Sequence, residues 1–252
     1  MTVRGTTVEI PTADGVADAY FVHPDDALAH PAVIVHMDAF GLRPHLMALA
    51  DRLAEAGYAV LVPNAYYRHG RAPVIDYAEV IDPDNDPALF DKIVPLLNTL
   101  TPEVNRRDAD AYLAWLDESP LVKDGPVGLT GYCRGAVHAL RMAATHPDRV
   151  AAAAGFHGGN LARETPDSPH LGAHLITAEL YFGHADDDPS LPPEQIARLA
   201  EALAEAGVRF RAEVYRGALH GYTQADTTRY DEAADARHWT ALLKLLKRTL
   251  PA

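Results

Sequence analysis

The sequence predicts an α/β fold in which a mostly parallel central sheet is covered by helices on both faces. Short β-branched runs such as Val33-Ile34-Val35 alternate along the chain with segments whose apolar residues recur at helical spacing. Proline and glycine stand where these helices should begin and end. Because the 252 residues contain no repeat and no Gly/Ser-rich linker, we expect a single domain over residues 1–252.

The first strand–helix–strand unit is predicted between residues 33 and 62. A strand at 33–35 is followed by a helix, which Gly57 should end, and by a second strand at 58–62. The helix is indicated by three leucines at positions i, i+3 and i+7, namely Leu46, Leu49 and Leu53. This order of elements is the unit from which parallel sheets are built.

The same alternation continues through the second half of the chain. Further strands are predicted at residues 127–130, 150–156, 176–182 and 208–214. Further helices are predicted around residues 112–116, 135–145, 192–206 and 239–246. In sheets of this kind ligands bind beyond the carboxyl ends of the strands, so we expect the functional residues there.

Residues 68–103 depart from this alternation, since they are irregular and contain several prolines. We expect them to form a helix-containing, cap-like insertion over the edge of the sheet. An insertion at that place would cover the site.

The charge balance restricts the classes of partner. The 22 basic and 35 acidic residues give a net charge of −13, which argues against nucleic acid as a partner, because binding to a phosphate backbone needs clustered Lys and Arg. No apolar run approaches the roughly 18 residues that span a membrane. The first residues are not an apolar signal segment. We therefore expect a cytoplasmic protein that binds neither nucleic acid nor membranes.

The sequence also argues against a metal or a cofactor. Cys133 is the only cysteine, which excludes an internal disulfide and zinc sites built on paired cysteines. Asp186–Ser190 has the spacing with which a calcium loop begins, but Leu191 and Ala197 occupy the positions that such loops reserve for glycine and glutamate. The zinc motif H-E-x-x-H does not occur.

The motif most indicative of chemistry is Gly131-Tyr132-Cys133-Arg134-Gly135. It follows a predicted strand and opens a predicted helix, as a nucleophile elbow of the form G-x-nucleophile-x-G does. The sharp turn crowds the backbone, and glycines two residues to either side relieve that crowding. The helix N-terminus favours a thiolate at Cys133. A buried structural cysteine in a tight turn would show the same five residues.

Two further features lie downstream in the order that α/β-hydrolases use, which is nucleophile, acid, histidine. Asp186-Asp187-Asp188 follows one predicted strand, and His220, in Gly217–Gly221, follows the next. His220 would take the thiol proton, and one aspartate of the cluster would orient the imidazole. Alone, such a histidine or aspartate run is more often a solvated surface feature.

Taken together, these motifs resemble the dienelactone hydrolase family, and the resemblance extends from about Pro31 to Leu250. Four signatures carry it: His36–Gly41 after a core strand, the elbow with cysteine, the aspartate cluster with Pro192, and Tyr215–Gly221. The resemblance implies an α/β-hydrolase fold without a cofactor. It also implies a Cys–His–Asp triad that hydrolyses small esters or lactones through a thioester.

Carried onto this sequence, the family pattern implies Cys133 as the nucleophile and His220 as the histidine. The acid is Asp188 if the family's proline four residues later is Pro192, and Asp186 if the family's preceding glycine is Gly183. We favour Asp188, because the proline begins the next helix and so fixes the register of the loop.

The resemblance also assigns residues around the nucleophile. The backbone N–H groups of Ala39 and Arg134 would donate to the oxyanion. Asp38 stands where the family places a glutamate near the resting thiol, and it is the shorter acid.

For the substrate pocket the candidates are aromatic residues close to these motifs, namely Phe40, Tyr66, Tyr67 and Tyr132. The family binds a substrate carboxylate with arginines, for which Arg68, Arg71 and Arg216 are the candidates here. Each arginine is equally compatible with a solvated surface charge.

The leading hypothesis is therefore a cysteine-dependent esterase or lactonase, a monomer or small homo-oligomer acting on a small molecule. Two alternatives remain at this stage. One is a thioesterase or acyl transferase that uses the same triad, and the other is a binding protein that keeps the fold without catalysis.

Overall fold

An eight-stranded sheet forms the centre of the computed structural model, which describes residues 1–250 apart from the side chain of Pro87. In chain order its strands are β1 Val3–Thr12, β2 Gly15–Pro24, β3 Ala32–His36, β4 Ala59–Pro63, β5 Val127–Tyr132, β6 Val150–Phe156, β7 Glu179–Ala185 and β8 Phe210–Tyr215. Their order across the sheet is β1-β2-β4-β3-β5-β6-β7-β8.

Six α-helices accompany the sheet. They are α1 Pro44–Glu55, α2 Pro87–Thr99, α3 Pro102–Glu118, α4 Arg134–Thr145, α5 Pro193–Glu205 and α6 Glu232–Thr249. Most of them begin with proline in their first turn, where the missing N–H costs no hydrogen bond. A 3₁₀ helix lies at Pro169–Leu175.

The strands from β3 to β8 run parallel, as the alternating pattern predicts. β1 and β2 form an antiparallel hairpin, and β2 pairs antiparallel with β4. The predicted mostly parallel sheet with helices on both faces is thus confirmed. The hairpin does not show the strand–helix–strand alternation from which the parallel part is predicted.

Two hydrophobic cores lie on opposite faces of the sheet. α3, α4 and α5 contribute to one core, and α1 and α6 contribute to the other. β3 and β5 are buried along their whole length, as expected for central parallel strands covered on both sides. This packing fixes the carboxyl ends of the central strands, where the loops of the site begin.

Two predicted strand boundaries are wrong by a few residues. The strand predicted at 176–182 forms at Glu179–Ala185, and the one predicted at 208–214 forms at Phe210–Tyr215. Ile176 and Ala178 are buried in the core without belonging to the strand. An apolar run therefore marks burial correctly but does not mark where pairing begins.

The segment 68–103 contains α2 and a long loop. Ile75, Ile81, Leu89 and Ile93 from this segment are buried in a third, separate apolar cluster with residues of the loop after β3. Ile81 also bridges to Thr227, since its N–H donates to the Asp226 carbonyl at 2.9 Å. The segment thus packs between the loop after β3 and the loop after β8.

Among the described helices, none combines the length and the apolar character that crossing a membrane would require.

Buried histidines should make this fold sensitive to acid. His36 on β3 and His184 on β7 are at most 8% exposed. Within residues 1–250, the Nε2 atom of each ring has no hydrogen-bond partner. Burial lowers the pKa of each to about 4. Because the unfolded chain binds these protons near pH 6.5, stability should be complete above that pH and decline as the pH falls towards 4.

Each of the two histidines should remove roughly 3 kcal/mol of stability at the acidic end of this range. Urea unfolding between pH 7 and pH 4.5 measures the decline. His184→Phe should show a shallower pH dependence than the unmodified protein. A flat profile for the unmodified protein would contradict the prediction.

Candidate active site

Cys133 lies at the turn between β5 and α4, in a backbone conformation that side-chain-bearing residues rarely adopt. Its φ is +53° and its ψ is −115°. A Cβ on Gly131 would lie 2.1 Å from the Gly135 carbonyl oxygen, and a Cβ on Gly135 would lie 2.2 Å from the His36 carbonyl oxygen. Both contacts are with backbone atoms, so only glycine fits at 131 and 135.

The turn leaves the Cys133 side chain half-buried at the carboxyl end of the sheet. Its backbone N–H donates to the Phe156 carbonyl at 3.1 Å, which ties the turn to the end of β6. The side chain packs against the third apolar cluster, beside Ala39 and Phe40. The thiol is therefore neither enclosed in an aliphatic core nor freely solvated.

His220 lies in the loop after β8 and is held by Asp188, in the loop after β7. The His220 Nδ1 atom is 2.6 Å from Asp188 Oδ2. The other carboxylate oxygen accepts hydrogen bonds from Ser190, from its backbone N–H at 2.8 Å and from its hydroxyl at 2.6 Å. Asp188 is 6% exposed, so its charge is stabilised by these donors rather than by solvent.

The electrostatics of the site link His220 to Cys133. Burial disfavours the imidazolium, but the nearby Cys133 and the hydrogen-bonded Asp188 carboxylate outweigh it and raise the pKa of His220 to about 10. Burial alone would raise the pKa of Asp188, yet the contacts with His220 and Ser190 lower it. The arrangement thus favours a charged imidazole beside Asp188.

The alternative acid, Asp186, has different partners. Its carboxylate accepts from Arg216 Nη1 at 3.2 Å and from the Gly217 N–H at 2.9 Å. Asp187 between the two acids has a positive φ of +50°. The carboxylates of Asp186 and Asp188, on either side of this residue, have separate partners, and of the two it is Asp188 that reaches His220.

The two expected oxyanion donors lie in adjoining backbone segments. A Cβ added to Gly135 would collide with the His36 carbonyl oxygen, so the chain that leads into the loop carrying Ala39 packs directly against the elbow. In the described part of the chain, neither the Ala39 N–H nor the Arg134 N–H donates to a protein acceptor. Arg134 is the first residue of α4, where a backbone N–H has no acceptor within the helix.

Asp38 is 1% exposed and held by three donors. The Phe40 N–H donates to it at 2.9 Å, Arg43 Nη1 at 2.8 Å and Gln224 Nε2 at 2.7 Å. Arg43 continues the network to Asp226 at 2.6 Å. The carboxylate is thereby committed to a buried ion pair, which joins the loop after β3 to the loop that follows His220.

The aromatic pocket candidates take different places. Phe40 belongs to the apolar cluster against which Cys133 packs. Tyr66 is buried next to the same loop and donates its hydroxyl to the Ala39 carbonyl at 2.9 Å. Tyr67 instead bonds Asp108 at 3.0 Å. Tyr132 is fully buried, stacks on Phe156 and reaches His238 at 3.0 Å, so its ring belongs to a core.

The three arginine candidates for a substrate carboxylate are engaged by protein carboxylates. Arg68 pairs with Asp14 and Asp108, Arg71 with Glu9, and Arg216 with Asp186. Arg216 and Arg71 are largely exposed. For Arg71 and Arg216 this agrees with the alternative interpretation of surface charges, whereas the Arg68 side chain is only 17% exposed and lies in a mostly buried ion pair.

Several residues of the site are absent from the sequence prediction: Ser190, Arg43, Gln224, Arg229 and His157. Ser190 could have been found, because a serine two residues after an aspartate is typical of a turn that hydrogen-bonds the acid. The others approach the site through tertiary packing alone. Arg229, for example, donates weakly to the His220 carbonyl at 3.5 Å and pairs with Asp84.

No group of three or more His, Cys, Asp or Glu side chains within residues 1–250 is arranged to hold a metal ion. The chemistry that this arrangement of groups supports is nucleophilic attack by a thiolate, with proton transfer through an imidazole.

A parallel sheet with a nucleophile elbow after β5, an acid after β7 and a histidine after β8 defines an α/β-hydrolase. Within that class, the chain belongs to the dienelactone hydrolase family, whose model matches residues 17–250. It is thus a hydrolase of the type that cleaves esters or lactones.

Relatives of similar length match nearly the whole chain. A Synechocystis protein named "Putative carboxymethylenebutenolidase" is 28% identical, over 98% of this chain and 98% of its own. A Bradyrhizobium protein named "Probable 2-oxo-3-(5-oxofuran-2-ylidene)propanoate lactonase" is 25% identical, over 98% and 95%. The crystal structure titled "Putative Dienelactone Hydrolase" from Klebsiella pneumoniae has a TM-score of 0.85 at 23% identity, covering 98% of this chain and all of that one. At that identity it shows the shared fold.

Replacing Asp188 with asparagine should lower the pKa of His220, because the imidazolium loses the anion at its Nδ1. The pKa of His220 should fall by roughly one to three, as expected when an opposite charge at hydrogen-bonding distance is removed. NMR titration of the histidine side chains measures it directly.

Asp186→Asn is the matched control, since the two carboxylates are two residues apart and only Asp188 contacts His220. It should leave the titration of His220 nearly unchanged. Equal shifts in the two variants would show that His220 responds to the charge of the loop and not to one carboxylate.

Proposed function

We propose that this enzyme hydrolyses small esters or lactones with Cys133 as nucleophile, His220 as general base and acid, and Asp188 as the carboxylate that orients His220. The observation that carries the proposal is the shared imidazole. His220 is bonded to Asp188 at 2.6 Å, and its contacts with Cys133 and Asp188 outweigh burial and raise its pKa. Thiolate and imidazolium are the charge states that nucleophilic attack by sulfur requires.

In the first half of the reaction the Cys133 sulfur attacks the carbonyl carbon, and the carbonyl oxygen becomes an oxyanion. The N–H groups of Ala39 and Arg134 would donate to that oxyanion. One donor of this kind contributes about 3–4 kcal/mol in the transition state. When the tetrahedral intermediate collapses, the C–O bond breaks, His220 gives its proton to the leaving oxygen, and a thioester remains on Cys133.

In the second half, water attacks the thioester carbonyl while His220 takes a proton from the water. Collapse of this intermediate breaks the C–S bond and releases the carboxylic acid. Cys133 returns as thiolate beside the imidazolium. With a lactone the leaving oxygen belongs to the same molecule as the acyl group, so the product is a hydroxy acid.

Asp188 supports both halves by holding one tautomer of His220. Its bond to Nδ1 leaves Nε2 to exchange protons with sulfur, water and leaving group. Ser190 strengthens this arrangement, because two of its groups donate to the carboxylate and keep it fixed. The carboxylate therefore stabilises the imidazolium without accepting its proton.

The surroundings of Cys133 favour a small substrate with an apolar body. Phe40, Ile93 and their neighbours from the segment 68–103 form the apolar cluster beside the sulfur. The lactone in the name of the Bradyrhizobium relative is small and unsaturated, and it belongs in a test panel with simple aryl esters. We propose small lactones and esters as the substrate class.

Replacing Cys133 with alanine should abolish hydrolysis of an activated aryl ester, with a loss of at least roughly a thousandfold in kcat, because no other group forms the acyl intermediate. His220→Ala should lose a comparable amount. In the unmodified enzyme, mass spectrometry of a rapidly quenched reaction should find the acyl mass on the peptide containing Cys133.

Arg216→Gln is the control, since Arg216 is 85% exposed and pairs only with Asp186. It should keep nearly full activity. Turnover close to that of the unmodified enzyme in folded Cys133→Ala would refute the proposal.

A further inference from the structure

His157 occupies the position directly after β6, between the strands that carry Cys133 and Asp188. It is fully buried, and its N–H donates to the Gly183 carbonyl at 2.8 Å. Its φ of +38° is strained for a residue with a side chain. Such strain persists only where the surroundings determine the conformation, and it is concentrated at functional sites.

The His157 side chain makes two contacts with the loop that carries His220. Its ring lies against the His220 ring, with centroids 5.4 Å apart and planes inclined by 68°. Its Nε2 atom is 2.8 Å from Thr223 Oγ1. Tyr222, between these residues, also meets the His157 ring edge to face at 5.0 Å. One buried side chain thus touches three of four consecutive residues of that loop.

These contacts add to the hydrogen bond that Asp188 makes with the imidazole. That bond holds the ring through Nδ1 on one edge, and small rotations of the ring about its bond to Cβ displace the rest of the ring most. Packing of the His157 ring against the imidazole opposes that rotation. On the same loop, Gly159 has no side chain, and a Cβ there would collide with Ser190 Oγ at 2.6 Å and stand 3.7 Å from His220 Cε1. The loop 157–159 therefore forms a close wall beside the imidazole.

We propose that His157 is a positioning residue for the reaction, whose ring holds the His220 imidazole in the orientation that faces both Cys133 and the leaving group. The inference rests on the proposed function of Cys133 and His220. It assigns His157 no contact with substrate and no proton transfer of its own.

The charge state of His157 suits this role. Burial, and then the charge of His220, lower its pKa well below the usual value for histidine, so the ring is neutral beside the imidazolium. The side chains of His238 and His45 lower it further, whereas a backbone hydrogen bond of His157 itself raises it. A neutral aromatic ring can pack on a cation without repelling it.

Two substitutions separate the ring from its hydrogen bond. His157→Phe keeps a flat ring beside His220 and loses the bond to Thr223, whereas His157→Gln keeps a polar group for Thr223 and loses the ring. If the ring positions the imidazole, His157→Gln should lower kcat by about tenfold to a hundredfold with little change in KM, as expected for a slightly misplaced catalytic group. His157→Phe should stay within about threefold of the unmodified enzyme.

A second readout needs no substrate. The pH dependence of Cys133 alkylation by iodoacetamide reports how well His220 stabilises the thiolate. For His157→Gln the midpoint should move up, towards that of an ordinary thiol, while His157→Phe should keep the midpoint of the unmodified enzyme. His184→Phe is the matched control, because His184 is also a buried histidine at a strand end, stacked on Phe182. It should change neither kcat nor the midpoint.

A folded His157→Gln variant with unchanged kcat and unchanged midpoint would overturn the inference. So would equal losses in His157→Gln and His157→Phe that follow the loss of thermal stability, since they would mark a purely structural role. Failure of the proposed function is distinguishable from either result. In that case Cys133→Ala would retain hydrolysis, whereas the alkylation midpoint would still report on His157 and His220.

Discussion

The site depends on the close approach of backbone atoms at the turn between β5 and α4. Gly131 lies so close to the Gly135 carbonyl oxygen, and Gly135 so close to the His36 carbonyl oxygen, that neither glycine has room for a Cβ. This contact accompanies a positive φ at Cys133, whose side chain stays half-buried. It also brings the loop after β3 beside the first N–H groups of α4. The same close backbone packing thus fixes the positions of the proposed nucleophile and of the candidate oxyanion donors.

Around this turn, two buried carboxylates have opposite surroundings. Asp188 is bonded to an imidazole that can gain and lose a proton, whereas Asp38 is bonded to Arg43, which keeps its charge at all ordinary pH values. The first carboxylate therefore acts on a titrating group. The second joins two loops, because Arg43 continues to Asp226 and Gln224 reaches Asp38 from the same loop. Equal burial leads to different roles because the partners differ.

The sequence was sufficient for the fold and for the approximate place of the site, since both follow from local patterns. Alternating strands and helices predict the parallel sheet, and the spacing of glycines around Cys133 reflects contacts within five residues. Pro192 favours Asp188 over Asp186 in the sequence, but the separate hydrogen-bond partners of the two carboxylates are visible only in the structure. Tyr132 adjoins the nucleophile in sequence, yet the alternation of side chains along β5 buries its ring in a core. His157 and Arg43 reach the site only through tertiary packing.

One consequence of the glycine pair concerns how this architecture can vary. At the turn, steric exclusion acts on residues 131 and 135, whereas residue 133 carries a half-buried side chain. Geometry therefore dictates the flanking residues 131 and 135 and leaves the identity of the side chain at 133 open. In a scaffold of this kind, a serine could replace the cysteine at 133 without any change in the backbone. The chemistry of the site could therefore change while the fold is retained.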